Sequence, residues 1–453
     1  MERIGGEREG ETQSIWQVVL ASFIGTTIEW YDFFLYGSAA ALVFGKLFFP
    51  NIDPLIGTLA AFGTYGVGFI ARPVGGLIFG HYGDRVGRKT MLVISLMVMG
   101  IATFLIGVLP TAEQWGIWAA VVLVVLRLLQ GLGVGGEWGG AVLLAVEHSP
   151  EGRRGFYGSW AQMGVPAGLL LANAILLPLS SWLPQEQFLA WGWRIPFLAS
   201  IILVGVGLFV RLKIMESPAF RQVQETHTEA QIPIVDVVRY HPKNVVLAMG
   251  MRMAENGNFY IITVFVLTYV TQQLGLTQST GLWGVVIGAA VGLLTIPGFG
   301  ALSDRLGRRP VYMFGAAFSL IFAFPFFWLL DTKVSILIWL AIGIALWIGH
   351  DPMYGPQAAY FSELFGTRLR YSGASIGYQL ASIVGGGISP LVATSLLAWA
   401  GGHFWPIAVY MAVLSLITLV ATYLTSETFR EDITAERPEE RRAIASEPGS
   451  EPG

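Results

Sequence analysis

Apolar windows of about 20 residues, the length that crosses roughly 30 Å of hydrocarbon, recur along the chain with short polar breaks between them. The pattern predicts twelve membrane spans, at 16–44, 57–79, 90–109, 116–146, 156–179, 194–212, 244–270, 279–299, 311–330, 335–362, 372–398 and 405–425. One long polar connection carries Lys213, Glu216, Arg221, Glu225, Glu229, Arg239 and Lys243 and divides the spans six and six. The expected organisation is a polar N-terminus over 1–15, a six-span bundle over 16–212, an inter-bundle loop over 213–243, a second six-span bundle over 244–425 and a disordered tail over 426–453. The fold class is all-α, an integral membrane protein of twelve transmembrane helices in two six-helix bundles.

Composition agrees with this pattern. Of 453 residues, 54% are hydrophobic and 13% charged, with a mean hydropathy of +0.61, which belongs to a chain in lipid. A net charge of −3 without a long basic block gives no reason to expect a nucleic-acid partner. The chain has 0 cysteines, so disulfides, thiol catalysis and Cys-based zinc sites are excluded. The polar start, MERIGGEREGETQ, has the form of neither a secretory signal nor a transit peptide, and the first span is expected to be retained.

Basic residues fall on every second connection: Arg85, Arg88 and Lys89, then Arg153 and Arg154, then the 213–243 loop, then Arg305, Arg308 and Arg309, then Arg368 and Arg370. Because cytoplasmic loops retain Lys and Arg, both termini are expected on the cytoplasmic side. The basic turns also repeat. GHYGDRVGRK (Gly80 to Lys89) returns as GALSDRLGRR (Gly300 to Arg309), and EHSPEGRR (Glu147 to Arg154) matches ELFGTRLR (Glu363 to Arg370) in its Glu-to-Arg spacing. EWYDFF has a weaker echo in ENGNFY, which aligns Glu29 with Glu255 and Asp32 with Asn258. Two duplicated six-span halves with a site between them near the bilayer midplane is an architecture of secondary transporters.

Charges inside a bilayer cost roughly 2.5–3.5 kcal/mol each on insertion scales, so they are few and mark function. Here they are Glu29 and Asp32 in span 1, Arg127 and Glu137 in span 4, Arg252 and Glu255 in span 7, and His350 and Asp351 in span 10. Every third span carries a pair, which points to four helices around one polar cavity; Arg72 in span 2 and Arg194 at the start of span 6 stand outside the pattern. Glu29 and Asp32 are separated by about 300° of turn and about 4.5 Å of rise, and so share a helix face. Two close carboxylates in a poorly solvated site resist ionising together, which is the chemistry of a proton-coupling site. Asp32 is the first choice for the proton, Glu29 the orienting partner, and Arg127 either the counter-ion of Asp32 or the ligand of a substrate carboxylate. Arg252, Glu255, Asn256 and Asn258 form the polar face of span 7, and with Tyr31 they complete the expected substrate-binding set. Gly257 either breaks span 7 and frees carbonyls for a ligand or is a packing kink. His350, Asp351 and Glu137 carry no choice between function and structure. The glycines after Arg127 lack the Lys-Ser/Thr ending of a phosphate loop and read as close helix packing. Gly80, Asp84, Arg85, Gly87, Arg88, Glu147, Asp304, Arg305, Arg308 and Glu363 are expected to form gating latches at the cytoplasmic helix ends.

The two basic turns resemble motif A of the major facilitator superfamily, and RLLQG resembles its motif B on the fourth span. With EWYDFFLYG, FIARPVGGLIFGHYGDRVGRK, RLLQGLGVGGEWGG, WGWRIPF, ESPAF and MYGPQAAYFSELF, nearly the whole chain resembles the metabolite:proton symporter subfamily. The resemblance implies the major facilitator fold, alternating access with spans 1, 4, 7 and 10 lining the cavity, and uptake of small organic solutes driven by protons. Members carry organic acids such as 2-oxoglutarate, citrate and shikimate, and the osmolytes proline and betaine. Carried over by position, Asp84, Arg85, Gly87 and Arg88 form the motif A latch and Arg127 is the motif B arginine linked to proton coupling. The ending SETFREDITAERPEERRAIASEPGSEPG has no heptads, unlike the long coiled coil of the osmosensing branch, which argues against osmotic sensing.

The leading expectation is a proton-coupled importer of a carboxylate or zwitterion, working in a bacterial inner membrane as a monomer. Its partners are a small-molecule substrate, protons and the lipid bilayer, and it needs no cofactor and no metal. A proton-coupled drug or metabolite exporter and an uncoupled uniporter are the alternatives; a receptor or enzyme is disfavoured by the lack of a soluble domain, metal cluster, nucleophile elbow or phosphate loop.

Overall fold

A computed structural model describes residues 14–51, 53–86, 88–135, 138–213, 239, 241–365 and 370–430, with the side chains of 80–92, 139–140, 144, 177, 211, 213 and 370–372 outside the described set. In lipid every backbone polar group must be satisfied within the segment, and the described chain meets this with helices throughout. Ten of them are long and apolar enough to span: Ile15–Phe48, Pro54–Phe79, Ile117–Gly135, Arg154–Trp182, Gln185–Val210, Gln278–Leu306, Arg308–Asp331, Ser335–Glu363, Gly373–Trp399 and Trp405–Leu424. The third span is the helix Arg88–Val108, whose apolar part, Val93–Val108, is shorter. The seventh, over 242–273, begins with the helix Pro242–Tyr260, which is too polar to pass as a span by hydropathy because it carries Arg252, Glu255, Asn256 and Asn258. These twelve segments match the twelve predicted ones and are numbered as spans 1–12 below.

Several spans contain wide π-helical stretches, among them Ala40–Phe44 in span 1, Ile261–Phe265 and Tyr269–Gln273 in span 7, Ala345–His350 in span 10 and Ser382–Gly387 in span 11. In span 10 the cause is visible: Pro352 lacks an N–H to continue the ladder, and the wider turn before it absorbs the misfit. The interruption expected at His350 and Asp351 is therefore present as a wide turn. The break considered at Gly257 is absent. The helix runs through Gly257, where a Cβ would lie 2.8 Å from the Gly385 carbonyl oxygen, so the residue serves close packing against span 11.

Glycines also set the contact between spans 2 and 4. A Cβ on Gly131 would lie 2.0 Å from the Gly68 carbonyl oxygen, and one on Gly135 would lie 1.9 Å from that of Arg72. This is the small-residue packing expected for RLLQGLGVGG, and it draws Arg127 and Arg72 onto adjoining helices.

The two halves meet at both ends of the molecule. At the end bearing the basic turns, Trp138 stacks on Tyr378 with centroids 3.6 Å apart, and Asp304 bonds the start of span 5. At the other end the Gln272 amide donates to Thr58 Oγ1 at 3.0 Å. Between them, Phe34 and Phe259 lie 5.7 Å apart and Phe69 and Tyr260 5.3 Å apart, closing the centre with aromatic rings.

Candidate functional site: a buried polar centre between the halves

Span 4 places Arg127 inward, fully buried. Its Nη1 donates to Gln130 Oε1 at 3.1 Å, and the Gln130 amide donates to Thr103 Oγ1 at 2.6 Å. Nε reaches the Tyr65 carbonyl at 3.5 Å, and Nη2 has no hydrogen-bond partner. The guanidinium lies over rings, with Cζ 3.9 Å from the centroid of Phe33 and 4.3 Å from that of Tyr36. Arg72 of span 2 shares the same phenyl ring, also at 3.9 Å, and rests on Phe69 at 4.3 Å. Its Nε and Nη2 are buried without a hydrogen bond. Cation–π contacts contribute up to about 2 kcal/mol when desolvated, whereas an unpaired buried charge costs several kcal/mol. The rings therefore offset only part of that cost.

Asp32 is buried on the same side, and neither of its carboxylate oxygens has a hydrogen-bond partner. Thr103, Arg127 and Glu29 are the polar groups that act on it. A direct Asp32–Arg127 ion pair, one of the two alternatives the sequence left for Arg127, is not formed, because Arg127 is turned to Gln130 and to the Tyr65 carbonyl. Glu29 is buried nearby. Tyr31 belongs elsewhere: its hydroxyl donates to the Pro196 carbonyl of span 6.

In the other half Arg252 and Glu255 pair at 3.6 Å, one turn apart on span 7. Gln357 of span 10 ties them together, accepting from Arg252 at 3.1 Å and donating to Glu255 at 2.9 Å and to Tyr312 at 3.0 Å. The Gln162 amide of span 5 reaches the same Gln357 oxygen at 3.4 Å, across the boundary between halves. His350 lies 2.9 Å from Asp351 Oδ1 and 3.6 Å from Glu255 Oε1, and Asp351 also accepts from Thr295. A small cavity borders this cluster, lined by Pro166, Phe259, Thr263, Gly292, His350 and Asp351. Asn256 has a buried, unbonded Nδ2, with Tyr260 packed close by against Gly386. Asn258 points to span 12, donating to Ser415 Oγ at 2.9 Å, which places it outside the centre.

The residues missed by the sequence reading are Gln357, Tyr260 and Tyr312, all uncharged, and Arg72, noted only as an exception. A search for amides in apolar segments finds Gln357 in MYGPQAAYF. Arg194, the other exception, caps span 3 by donating to the Gly107 and Leu109 carbonyls at 2.9 and 2.7 Å.

At the basic end, Asp304 accepts from the Gly155 and Phe156 N–H groups at 2.8 and 2.9 Å. Arg308 bridges Asp304 at 2.7 Å and Glu363 at 3.0 Å, and Arg154 approaches Glu363 at 4.0 Å. Arg305 and Glu147 are exposed. Residues 426–430, placed in the tail by sequence, dock here: Glu427 accepts from the N–H groups of Arg308 and Arg309, and Thr428 donates to Glu363. Gly80, Asp84, Arg85, Gly87, Arg88 and Glu137 lie outside the described side chains. Among the described residues no group of His, Asp and Glu has the arrangement of a metal site.

The family model of the Major Facilitator Superfamily matches residues 22–378 and 253–449. The chain belongs to this superfamily. Among relatives of this superfamily member, the shikimate transporter of Escherichia coli (strain K12) is 45% identical over 418 residues, covering 91% of this chain and 95% of the relative. An inner membrane metabolite transport protein of the same organism is 41% identical, covering 92% and 95%. The proline/betaine transporter of Salmonella typhimurium is 32% identical, covering 93% and 85%. The proton:xylose symporter XylE, solved with 6-bromo-6-deoxy-D-glucose, has the same fold, with a TM-score of 0.73 at 16% identity over 95% of this chain and 98% of XylE. This superfamily member is an integral membrane transporter and not an enzyme, and its twelve spans form the two six-helix bundles of that fold.

Proposed function

We propose that this transporter imports a small organic solute bearing a carboxylate, together with protons, across a bacterial inner membrane by alternating access of its two halves. The observation that carries the reading is the pairing, in one buried compartment, of an acid without hydrogen bonds, Asp32, and an arginine with a free donor edge, Arg127. An isolated buried carboxylate is costly, which suits Asp32 to exchange a proton during the cycle. The free guanidinium edge is matched to the planar fork of a carboxylate. Glu29 supports Asp32 from the same helix face. Asn256, whose buried Nδ2 has no hydrogen-bond partner, is the second polar contact for the solute. The relatives named for shikimate and for proline/betaine transport, each of whose cargoes carries a carboxylate, support this class.

In the proposed cycle the basic turns lie in the cytoplasm with both termini, one chain suffices, and the Asp304–Arg308–Glu363 cluster holds the cytoplasmic end shut until the loaded centre favours opening. The test is uptake of radiolabelled shikimate, proline and glycine betaine into proteoliposomes under an imposed inward proton gradient, with and without a protonophore. Accumulation that collapses with the protonophore is the expected result. Uptake that is indifferent to the gradient overturns the coupling and leaves a uniporter; export alone from inverted vesicles overturns import.

A further inference from the structure

Among the described residues four arginines are almost fully buried: Arg72, Arg127, Arg252 and Arg308. Their surroundings separate them. Arg308 is held by Asp304 and Glu363, and Arg252 by Glu255 and Gln357. Arg72 and Arg127 meet no carboxylate within ion-pair distance. They lie on one phenyl ring, each with its Cζ 3.9 Å from the Phe33 centroid. Between them they leave Arg72 Nε, Arg72 Nη2 and Arg127 Nη2 buried with no hydrogen bond, and the Tyr65 and Tyr260 hydroxyls are buried and unbonded as well. A buried guanidinium edge without an acceptor is rare and costly. Here two such edges share one floor, and the unbonded Asp32 carboxylate of the same compartment forms an ion pair with neither.

We propose that Arg72 is a carboxylate ligand of the transported solute, acting with Arg127 as a two-guanidinium anion site floored by Phe33 and covered from the other half by Tyr260. The proposal rests on the reading that a carboxylate is carried, and it assigns the role to Arg72 in place of Arg252, whose charge is already met by Glu255. Tyr260 of span 7 packs against rings that carry the two guanidiniums, 5.3 Å from Phe69, on which Arg72 rests, and 5.9 Å from Tyr65, over which Arg127 lies. Separation of the halves lifts Tyr260 away and opens the donor edges, so a carboxylate enters only when the centre is open. Phe33, Phe69 and Tyr65 then offer ring faces to the body of the solute. The ligand class that fits is a small organic acid with a compact or cyclic body.

The experiment measures ligand-induced stabilisation of the full chain in detergent, without any gradient, using acid and masked-acid pairs: shikimate and its methyl ester, proline and its methyl ester, benzoate and benzyl alcohol. The acid of at least one pair is expected to raise the melting temperature, its masked form to leave it unchanged, and Arg72→Gln to weaken acid binding by about tenfold to a hundredfold, as for loss of a charged hydrogen-bond partner. Arg72→Lys, which keeps the charge and loses the fork, is expected to fall between. Stabilisation by a masked form equal to that by its acid, no stabilisation by any of the acids, or a folded Arg72→Gln protein that binds the acid as the wild type does overturns the proposal. If Arg72→Gln does not fold, the acid and ester comparison on the wild type and the Arg72→Lys affinity decide it by the same criteria. An uncoupled carrier still binds acids in this assay and fails only the protonophore measurement, so failure of the anion site and failure of the coupling are distinguishable.

Discussion

The carboxylate of Asp304, at the end of span 8, accepts a hydrogen bond from the Gly155 N–H at 2.8 Å, and so an acid of one half caps the first turn of a helix in the other. The four leading N–H groups of a helix have no partner within it, and an acid there also meets the positive end of the helix dipole. Phe156 supplies a second bond to the same carboxylate, and Arg308 holds Asp304 in place while gripping Glu363. The contact that closes this end is thus a helix cap across the boundary between halves.

Asp304→Asn keeps the shape of this cap and removes its charge. The expected loss is about 1–2 kcal/mol, which shifts the balance toward the form open at this end by about five- to thirtyfold. The chain has 0 cysteines, so spin labels on Glu151→Cys and Leu306→Cys, two exposed positions on opposite sides of the contact, report the distance without background. A longer-distance population should grow in Asp304→Asn. A distribution unchanged from the parent removes Asp304 as a latch.

Asp32→Asn tests the proton site. The amide preserves volume and supplies its own donor, but it carries no exchangeable charge. Accumulation against a gradient is expected to disappear while exchange of labelled for unlabelled solute is partly retained, since exchange needs no net proton movement. The measurement is counterflow beside gradient-driven uptake in the same proteoliposomes. An unaltered accumulation ratio takes the coupling role away from Asp32.

Gln357 holds the charged cluster of the second half. Gln357→Leu leaves Arg252, Glu255 and Tyr312 each short of a partner in a buried site. Leaving a buried donor or acceptor unmet costs about 1–3 kcal/mol, so the melting temperature of the purified protein should fall by several degrees and transport should be lost. Equal melting of the wild type and Gln357→Leu is the result that contradicts the network's structural weight.

Much of this is legible in the sequence. Twelve spans, the division into halves and the basic turns follow from hydropathy and repetition, because lipid imposes length and composition on each segment. The charge positions in spans 1, 4, 7 and 10 also survive, and all those with described side chains are buried toward the protein. What the sequence hides is direction and neutral chemistry. Tyr31 and Asn258 lie on polar-looking stretches, yet one bonds span 6 and the other span 12, because a helix turns about 100° per residue and neighbours in sequence face different partners. Asp32 and Arg127 share a compartment without pairing, since Gln130 and the Tyr65 carbonyl hold the guanidinium. Gln357 and Tyr260 carry no charge and escape a search for charges alone, and Arg72 owes its place to Gly135 of span 4, which packs against its backbone.

That packing yields a prediction about two glycines that look equivalent in sequence. A Cβ on Gly131 would meet the Gly68 carbonyl oxygen at 2.0 Å, a backbone atom of a packed helix that cannot step aside. A Cβ on Gly68 would meet the Nε of Arg127 at 2.6 Å and its Cζ at 3.0 Å, atoms of a long side chain that can move. Gly131→Ala therefore forces spans 2 and 4 apart, an overpacking cost of about 1–3 kcal/mol or more, and should lower the melting temperature. Gly68→Ala relieves its clash by pushing the guanidinium off the Tyr65 carbonyl and Gln130. The fold tolerates this and the site does not, so its melting temperature should stay close to that of the wild type while carboxylate uptake drops about tenfold or more, as expected when a charged hydrogen bond is misplaced. Thermal melting and initial uptake rates measured on both variants separate the two effects. Parallel losses of stability and transport in the two variants contradict the assignment of Gly68 as the space reserved for Arg127.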